Sequence, residues 1–181
     1  MENLENISDE ELVKGCLQDK RAYQEALYRK YADLMYSVVM MYAKDSDDAA
    51  DILQDSFINV FRKLHKFRFE SQLGGWIRRI VVNKSIEHFR SKKRKRELIE
   101  DFSHEEHPKV EGILERINAN EIVNLVNDLP AKAAMILKLY AIEGYKHHEI
   151  ADMLEISEGT SKSQLNRARS LLKEKLVHFN G

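Results

Sequence analysis

The chain has 181 residues, enough for one medium domain or two small ones and too few for a large enzyme scaffold. Only seven Gly and two Pro, with 33% charged and 43% apolar residues, favour helices and argue against sandwiches, barrels and disorder. The single cysteine, Cys16, excludes an internal disulfide and a thiolate metal site; it suits a reducing cytoplasm, and with no leader-like start and no apolar run of 18 residues, neither export nor membrane insertion is expected. The net charge of -1 conceals a strong segregation. Residues 62–96 carry 13 basic and 2 acidic groups, between an acidic stretch at 1–61 (6 basic, 13 acidic) and another at 97–121 (2 basic, 8 acidic), while 122–181 is nearly balanced at +1. Such a cationic block seeks polyanions, most of all at 90–96, where Arg-Ser-Lys-Lys-Arg-Lys-Arg has no interleaved acid.

Along the chain, Ser8-Asp9-Glu10-Glu11 reads as a capping box that opens a short helix ending near Leu17. From Ala22 to Tyr42, Leu27, Tyr31, Leu34, Met35, Val38, Val39 and Tyr42 recur at three and four and predict a buried helical stripe. A third helix at 48–65 places Leu53, Phe57, Val60, Phe61 and Leu64 on one face, and Asp48, Asp51, Gln54 and Asp55 on the other with no basic partner on the same turns. An aromatic and basic loop at 66–75 leads into a fourth helix, from Trp76 to about Arg90, with Trp76, Ile80, Val81 and Phe89 as its core stripe and Trp76 as core anchor more than stacking platform. The acidic text from Glu97 to about Glu115, broken by Pro108 and Gly112, reads as a linker.

Periodicity returns with Ile117, Ile122, Leu125 and Val126, and Pro130 opens a strong helix that Gly144 ends. His147 to Leu154, a turn at Glu155-Ile156-Ser157, and a longer helix from Glu158 to about Val177 with Ser157 as its cap form a helix-turn-helix; Ile150, Ala151, Leu154, Ile156, Leu165 and Ala168 fall where the helices touch. Ser161, Lys162, Gln164, Asn166, Arg167 and Arg169 on the second helix are able to bond base edges or phosphates. The pairs His104 with His107 and His147 with His148 lack the spacing and ligand chemistry of a metal site, and no phosphate loop or nucleophile elbow is present, so neither cofactor nor catalysis is expected.

Four stretches together resemble a known family: Asp48-Ala49-Ala50-Asp51-Ile52-Leu53-Gln54-Asp55-Ser56-Phe57; Trp76-Ile77-Arg78-Arg79-Ile80-Val81-Val82-Asn83; Leu129-Pro130; and Glu149-Ile150-Ala151 with Ser157-Glu158-Gly159-Thr160 and Arg167-Ala168-Arg169. In this order, spanning about Tyr23 to Leu176, they look like a bacterial RNA polymerase sigma factor of the extracytoplasmic-function (ECF) class of the sigma-70 family. The resemblance implies an all-α chain of two small helical domains. Residues 1–96 would be sigma region 2, binding the polymerase clamp and the promoter -10 element; 97–115 an acidic linker; and 116–181 sigma region 4, whose helix-turn-helix binds the -35 element. It implies three kinds of partner: core RNA polymerase through the clamp of its largest subunit and its flap, promoter DNA, and an anti-sigma factor that holds the chain inactive.

Carried onto this sequence, Asp48, Asp51, Gln54 and Asp55 would bind polymerase. Phe69, Arg79, Asn83, Lys84, Arg90, Lys92 and Lys93 would contact the -10 strand, where aromatic stacking at about 1–3 kcal/mol per base offsets the cost of opening a pair. Thr160, Lys162, Ser163, Gln164, Asn166, Arg167 and Arg169 would contact the -35 element, Thr160 being equally a cap partner. Ser161 stands where the family commonly has valine, and Gln164 where it commonly has arginine. The alternative is a helix-turn-helix regulator that is not a polymerase subunit; it would need neither the acidic helix nor the aromatic-basic loop.

Overall fold

A computed structural model describes residues 7–99 and 125–179, which contain helices and no strand. The chain divides into two compact units at Lys93 and Arg94. In the first, α1 (Asp9–Leu17), α2 (Arg21–Met40), α3 (Ser46–Lys63), a 3-10 turn (Leu64–Lys66) and α4 (Leu73–Ile99) follow one another. In the second, a helical segment at 125–127 precedes α5 (Ala131–Ala141), α6 (His147–Leu154) and α7 (Glu158–Phe179).

Local signals set most of the boundaries. Ser8 Oγ accepts from the Glu11 amide at 3.2 Å while Glu11 Oε2 accepts from the Ser8 amide at 3.3 Å, the reciprocal cap that starts α1. Asp45 caps α3 by accepting from the Asp48 amide at 2.9 Å. Gly144, at φ +76°, supplies the left-handed residue after α5, and Ser157 caps α7 by accepting from the Thr160 amide at 3.0 Å. The turn between α6 and α7 passes through Glu155 at φ 53°, a left-handed position without the glycine that such turns favour.

The core of the first unit is built from Leu12, Leu27, Met35, Val39, Ile52, Val60, Leu64, Leu73, Ile77 and Val81, all 3% exposed or less. Two departures from the expected stripes stand out. Leu34 of α2 is 57% exposed, because the buried face is centred on Leu27, Tyr31, Met35 and Val38 and leaves Leu34 on its flank. On α4 the buried positions are Leu73, Ile77, Val81, Val82 and Ile86, whereas Trp76, Ile80 and Phe89 are only half-buried. The helix also starts three residues before Trp76 and runs on past Arg90, so Gly74 and Gly75 lie in its first turn. Gly74 serves packing: a Cβ there would come within 3.0 Å of the Tyr31 ring, whose hydroxyl donates to the Asp9 carboxylate at 2.9 Å and ties α2 to α1. The expected linker at 97–115 overlaps α4 as far as Ile99 and otherwise lies outside the described residues, as do Ile117 and Ile122.

In the second unit, Leu129, Ala133, Ile136, Leu139, Ile150, Leu165 and Ala168 are buried, and the small side chains of Ala133, Ala151 and Ala168 let the helix axes approach closely. Lys138 is 7% exposed in this core and donates to Asn127 Oδ1 at 2.8 Å. Burial pulls its ammonium down to about 8 from 10.5.

Two outcomes follow. At Gly15 an added Cβ would sit 2.1 Å from the Tyr23 ring, so Gly15→Ala forces α1 and α2 apart and is expected to lower stability in a urea titration by about 1–3 kcal/mol. For Lys138 the unfolded chain binds the extra proton between pH 8 and 10.5, so stability rises with pH across that window, by roughly 1 kcal/mol per unit of pH at most. Lys138→Met should abolish that rise and raise stability at pH 7; parallel pH profiles of the two proteins in denaturant melts would refute the assignment.

Candidate functional site

The apolar period of α3 leaves Asp51, Gln54, Asp55 and Ile58 along one exposed side, Ile58 at 51% exposure. Ile58 was not among the expected contacts, although its spacing of three and four from Asp55 and Gln54 is the signal that would have found it. Asp48 behaves differently. Its side chain is 16% exposed and turned toward α4, where Oδ2 accepts from Lys92 Nζ and Oδ1 lies 3.6 Å from His88 Nε2. The Lys92 ammonium holds the Asp48 carboxyl below its usual range. The acidic row therefore has a basic partner after all, on a different helix and 44 residues away.

The α4 side chains divide into two groups by the same helical geometry. Arg79 and Asn83 are exposed and Arg90 half-buried on the side away from the core, next to the half-buried Trp76. Lys84, His88 and Ser91 instead line the edge toward α3, and with Asp51, Gln54, Asp55 and Glu87 they border a groove of about 440 Å³. Lys84 Nζ bonds Glu87 at 3.1 Å and approaches Asp55 at 3.6 Å, and these two carboxylates, Glu87 foremost, keep its ammonium charged to higher pH. Two lysines expected on DNA, Lys84 and Lys92, are thus held by two acids expected on polymerase. Of Lys93 only its place on α4 is described.

Phe69, in the loop before α4, is 49% exposed at φ 58°, a conformation that an aromatic side chain rarely adopts. Its ring packs at 4.8 Å on buried Phe67, which in turn lies 5.4 Å from Trp76. The loop thus presents one ring to solvent over two that anchor it.

On α7, buried Ser161, Leu165 and Ala168 fix the inner face and turn Ser163, Asn166 and Arg167 outward, all exposed. Lys162 pairs with Glu158 at 2.7 Å, and Gln164 is half-buried. Thr160 shares a hydrogen bond with Ser157 Oγ at 2.8 Å and so serves the cap. Ser161, expected among groups able to reach DNA, is 0% exposed: its hydroxyl occupies the core and shares a 2.9 Å hydrogen bond with His147 Nδ1. Among the described residues no cluster of three or more His, Cys, Asp or Glu could hold a metal, and no helix is long and apolar enough to cross a membrane. His104 and His107 lie outside the described residues.

The first unit thus sets a capped acidic helix beside a cationic one, and the second carries a helix-turn-helix. The sequence matches Sigma-70 region 2 over residues 27–95 and Sigma-70, region 4 over residues 119–172. It is 27% identical to the ECF RNA polymerase sigma factor SigM of Mycobacterium tuberculosis, over 96% of this chain and 87% of that one. It is 29% identical to the ECF RNA polymerase sigma-E factor of Haemophilus influenzae, over 95% and 97%. The fold is shared with the sigma factor RpoE of Bartonella quintana, solved with the anti-sigma factor NepR (TM-score 0.53, 20% identity, 84% of this chain and 95% of that one). It is also shared with CnrH, solved with the cytosolic domain of CnrY (TM-score 0.51, 18% identity, 94% and 97%). The chain belongs to the sigma-70 family, in its ECF class. A regulator with an unrelated front half is not favoured, since region 2 accounts for that half.

The Asp48 pairing makes its own prediction. With the folded-state pKa lowered, the carboxylate contributes stability that is present above its unfolded pKa and is lost as pH falls through the folded value. Asp48→Asn should therefore cost on the order of 1 kcal/mol at pH 7, and the gap to the parent should close in acid. In a Lys92→Met background the same change should cost much less; an undiminished cost there would remove the pair.

Proposed function

We propose that residues 1–96 bind core RNA polymerase and the -10 element, that 116–181 bind the -35 element, and that the chain directs polymerase to promoters and helps to open them. The observation that carries this reading is the separation of surfaces on the first unit. Asp51, Gln54 and Asp55 stay exposed on α3 with Ile58 as an apolar neighbour, while Arg79, Asn83 and Arg90 occupy another helix, so one unit offers an anionic face to protein and a cationic one to DNA.

Docking is assigned to Asp51, Gln54 and Asp55 against a basic coiled surface of the clamp. Asp48, engaged by Lys92, contributes by holding α4. A few exposed charges set association rate and register more than affinity, and Ile58 adds the desolvated area that retains the complex. At the -10 element, the solvent-facing Phe69 ring is suited to stack on an unpaired base while Arg79, Asn83, Arg90 and Lys93 follow the strand. Lys84 and Lys92 join them only by exchanging a carboxylate for a phosphate.

At the -35 element, Ser163, Asn166 and Arg167 face the major groove, with Asn166 suited to adenine and Arg167 to guanine or phosphate. Arg169, Lys162, Gln164 and Thr160 flank them. The flap of polymerase receives the second unit. The chain works in the cytoplasm as a subunit without chemistry of its own. RpoE and CnrH were each solved with another protein named in the complex, and here too an anti-sigma factor would act by covering these surfaces.

The test is co-elution of the full chain with core polymerase, then transcription from promoters selected in vitro with the reconstituted holoenzyme. Asp51→Arg should lower co-elution at least tenfold while leaving the melting temperature of the free chain unchanged. Undiminished co-elution removes the docking assignment, and a holoenzyme that initiates on no template removes the function.

A further inference from the structure

Between α5 and the recognition helix lies an aromatic contact that packing alone does not require. Tyr140 is 37% exposed near the end of α5. The His147 ring stacks on it at 4.8 Å between centroids and 25° between planes, and the Arg169 guanidinium lies over the Tyr140 ring at 5.6 Å. His147 also bonds the buried Ser161 hydroxyl. One surface tyrosine therefore touches α7 twice, near its start through His147 and Ser161, and two turns later through Arg169.

Ser161 explains why the link runs through a histidine. A hydroxyl at a fully buried position must find a partner, and the first residue of α6 supplies it. The imidazole so fixed has one face left for Tyr140. Arg169, meanwhile, is exposed but sits about a third of a turn around α7 from the centre of the outward row of Ser163, Asn166 and Arg167. Its reach toward DNA depends on which way its long side chain is directed, and a guanidinium resting on a ring face has surrendered much of its rotamer freedom before DNA arrives.

We propose that Tyr140 is a positioning residue for promoter readout: with His147 it forms a brace that holds Arg169 in its DNA-binding direction. The proposal rests on the reading of α7 as the -35 recognition helix. It assigns no base contact to Tyr140 itself.

The experiment uses the full chain in holoenzyme with core polymerase and a promoter fragment selected by the parent holoenzyme, with competition by fragments altered at single -35 positions. Tyr140→Leu keeps apolar bulk but removes the π face, and Tyr140→Phe keeps the face. Tyr140→Leu should weaken specific binding about two- to fivefold, the range of an exposed cation–π contact, and flatten the preference at one -35 position. Tyr140→Phe should match the parent, and the melting temperature of the free chain should be unchanged in both. Arg169→Ala should cost more, and Tyr140→Leu added to it should cost nothing further.

Losses that multiply, or a phenylalanine variant as weak as the leucine one, overturn the brace. If Arg169→Ala binds normally while Arg167→Ala does not, the brace is wrong and α7 remains the reader. If neither matters, both ideas fall together.

Discussion

The ion pair between Asp48 and Lys92 ties the strongly cationic α4, already seated by its buried apolar face, to the acidic α3. Residues 62–96 carry a net charge of +11, most of it on α4 or just ahead of it. Left to itself such a helix repels its own turns, each like-charged pair at four residues costing a few tenths of a kcal/mol. Asp48, mostly shielded from solvent, takes Lys92 and lies beside His88, while Asp55 and Glu87 share Lys84. These pairs cluster along the edge of α4 that faces α3. The opposite edge, with Arg79 and Asn83, stays exposed. Internal pairing thus does not reduce the cationic surface evenly; it sorts α4 into a paired edge and an exposed edge.

The same sorting makes the acidic face of α3 serve two ends. Its inner member is a structural ion, and its outer members Asp51 and Asp55 keep their exposure. A single row of four polar residues in the sequence thereby becomes one interhelical contact and a shorter exposed strip, extended by Ile58. Asp55 belongs to both, since it also approaches Lys84 at 3.6 Å. An exposed pair at that distance is worth well under 1 kcal/mol and gives way readily when a stronger partner arrives for either charge.

What was legible in the sequence was local. Ser8 with Glu11, Gly144 and Ser157 each encode a terminus within a few residues of themselves, and α1, the end of α5 and the start of α7 follow from them. The roll of α4 was not legible, because apolar residues at 76, 77, 80, 81, 82, 86 and 89 wrap much of the way around the helix, and periodicity cannot choose a face within so wide an arc. Tertiary packing on Tyr31 through Gly74 makes the choice. The partner of Asp48 is separated from it by 44 residues, a distance over which charge patterning along one helix carries no information. Ser161 was misread for a related reason: a hydroxyl looks like surface until a histidine from another helix is seen to satisfy it.

The two units divide the work of binding DNA by different physics. The first concentrates positive charge at 62–96, and on the proposed reading its hold on DNA comes largely from displaced counterions and from bases that stack. The second has a net charge of +1 over residues 122–181 and even neutralises Lys162 with Glu158 at the head of its recognition helix. It cannot attract a duplex over distance. On the proposed reading its contribution comes from direct contacts by Ser163, Asn166 and Arg167, whose worth depends on the helix being presented at the right roll. Rigid positioning therefore matters more in the second unit than in the first, where an aromatic loop and a diffuse field tolerate looser geometry. The cationic block at 62–96 thus shares its unit with the acidic stretch at 1–61, while α7 carries its exposed polar row in a segment whose charges nearly cancel.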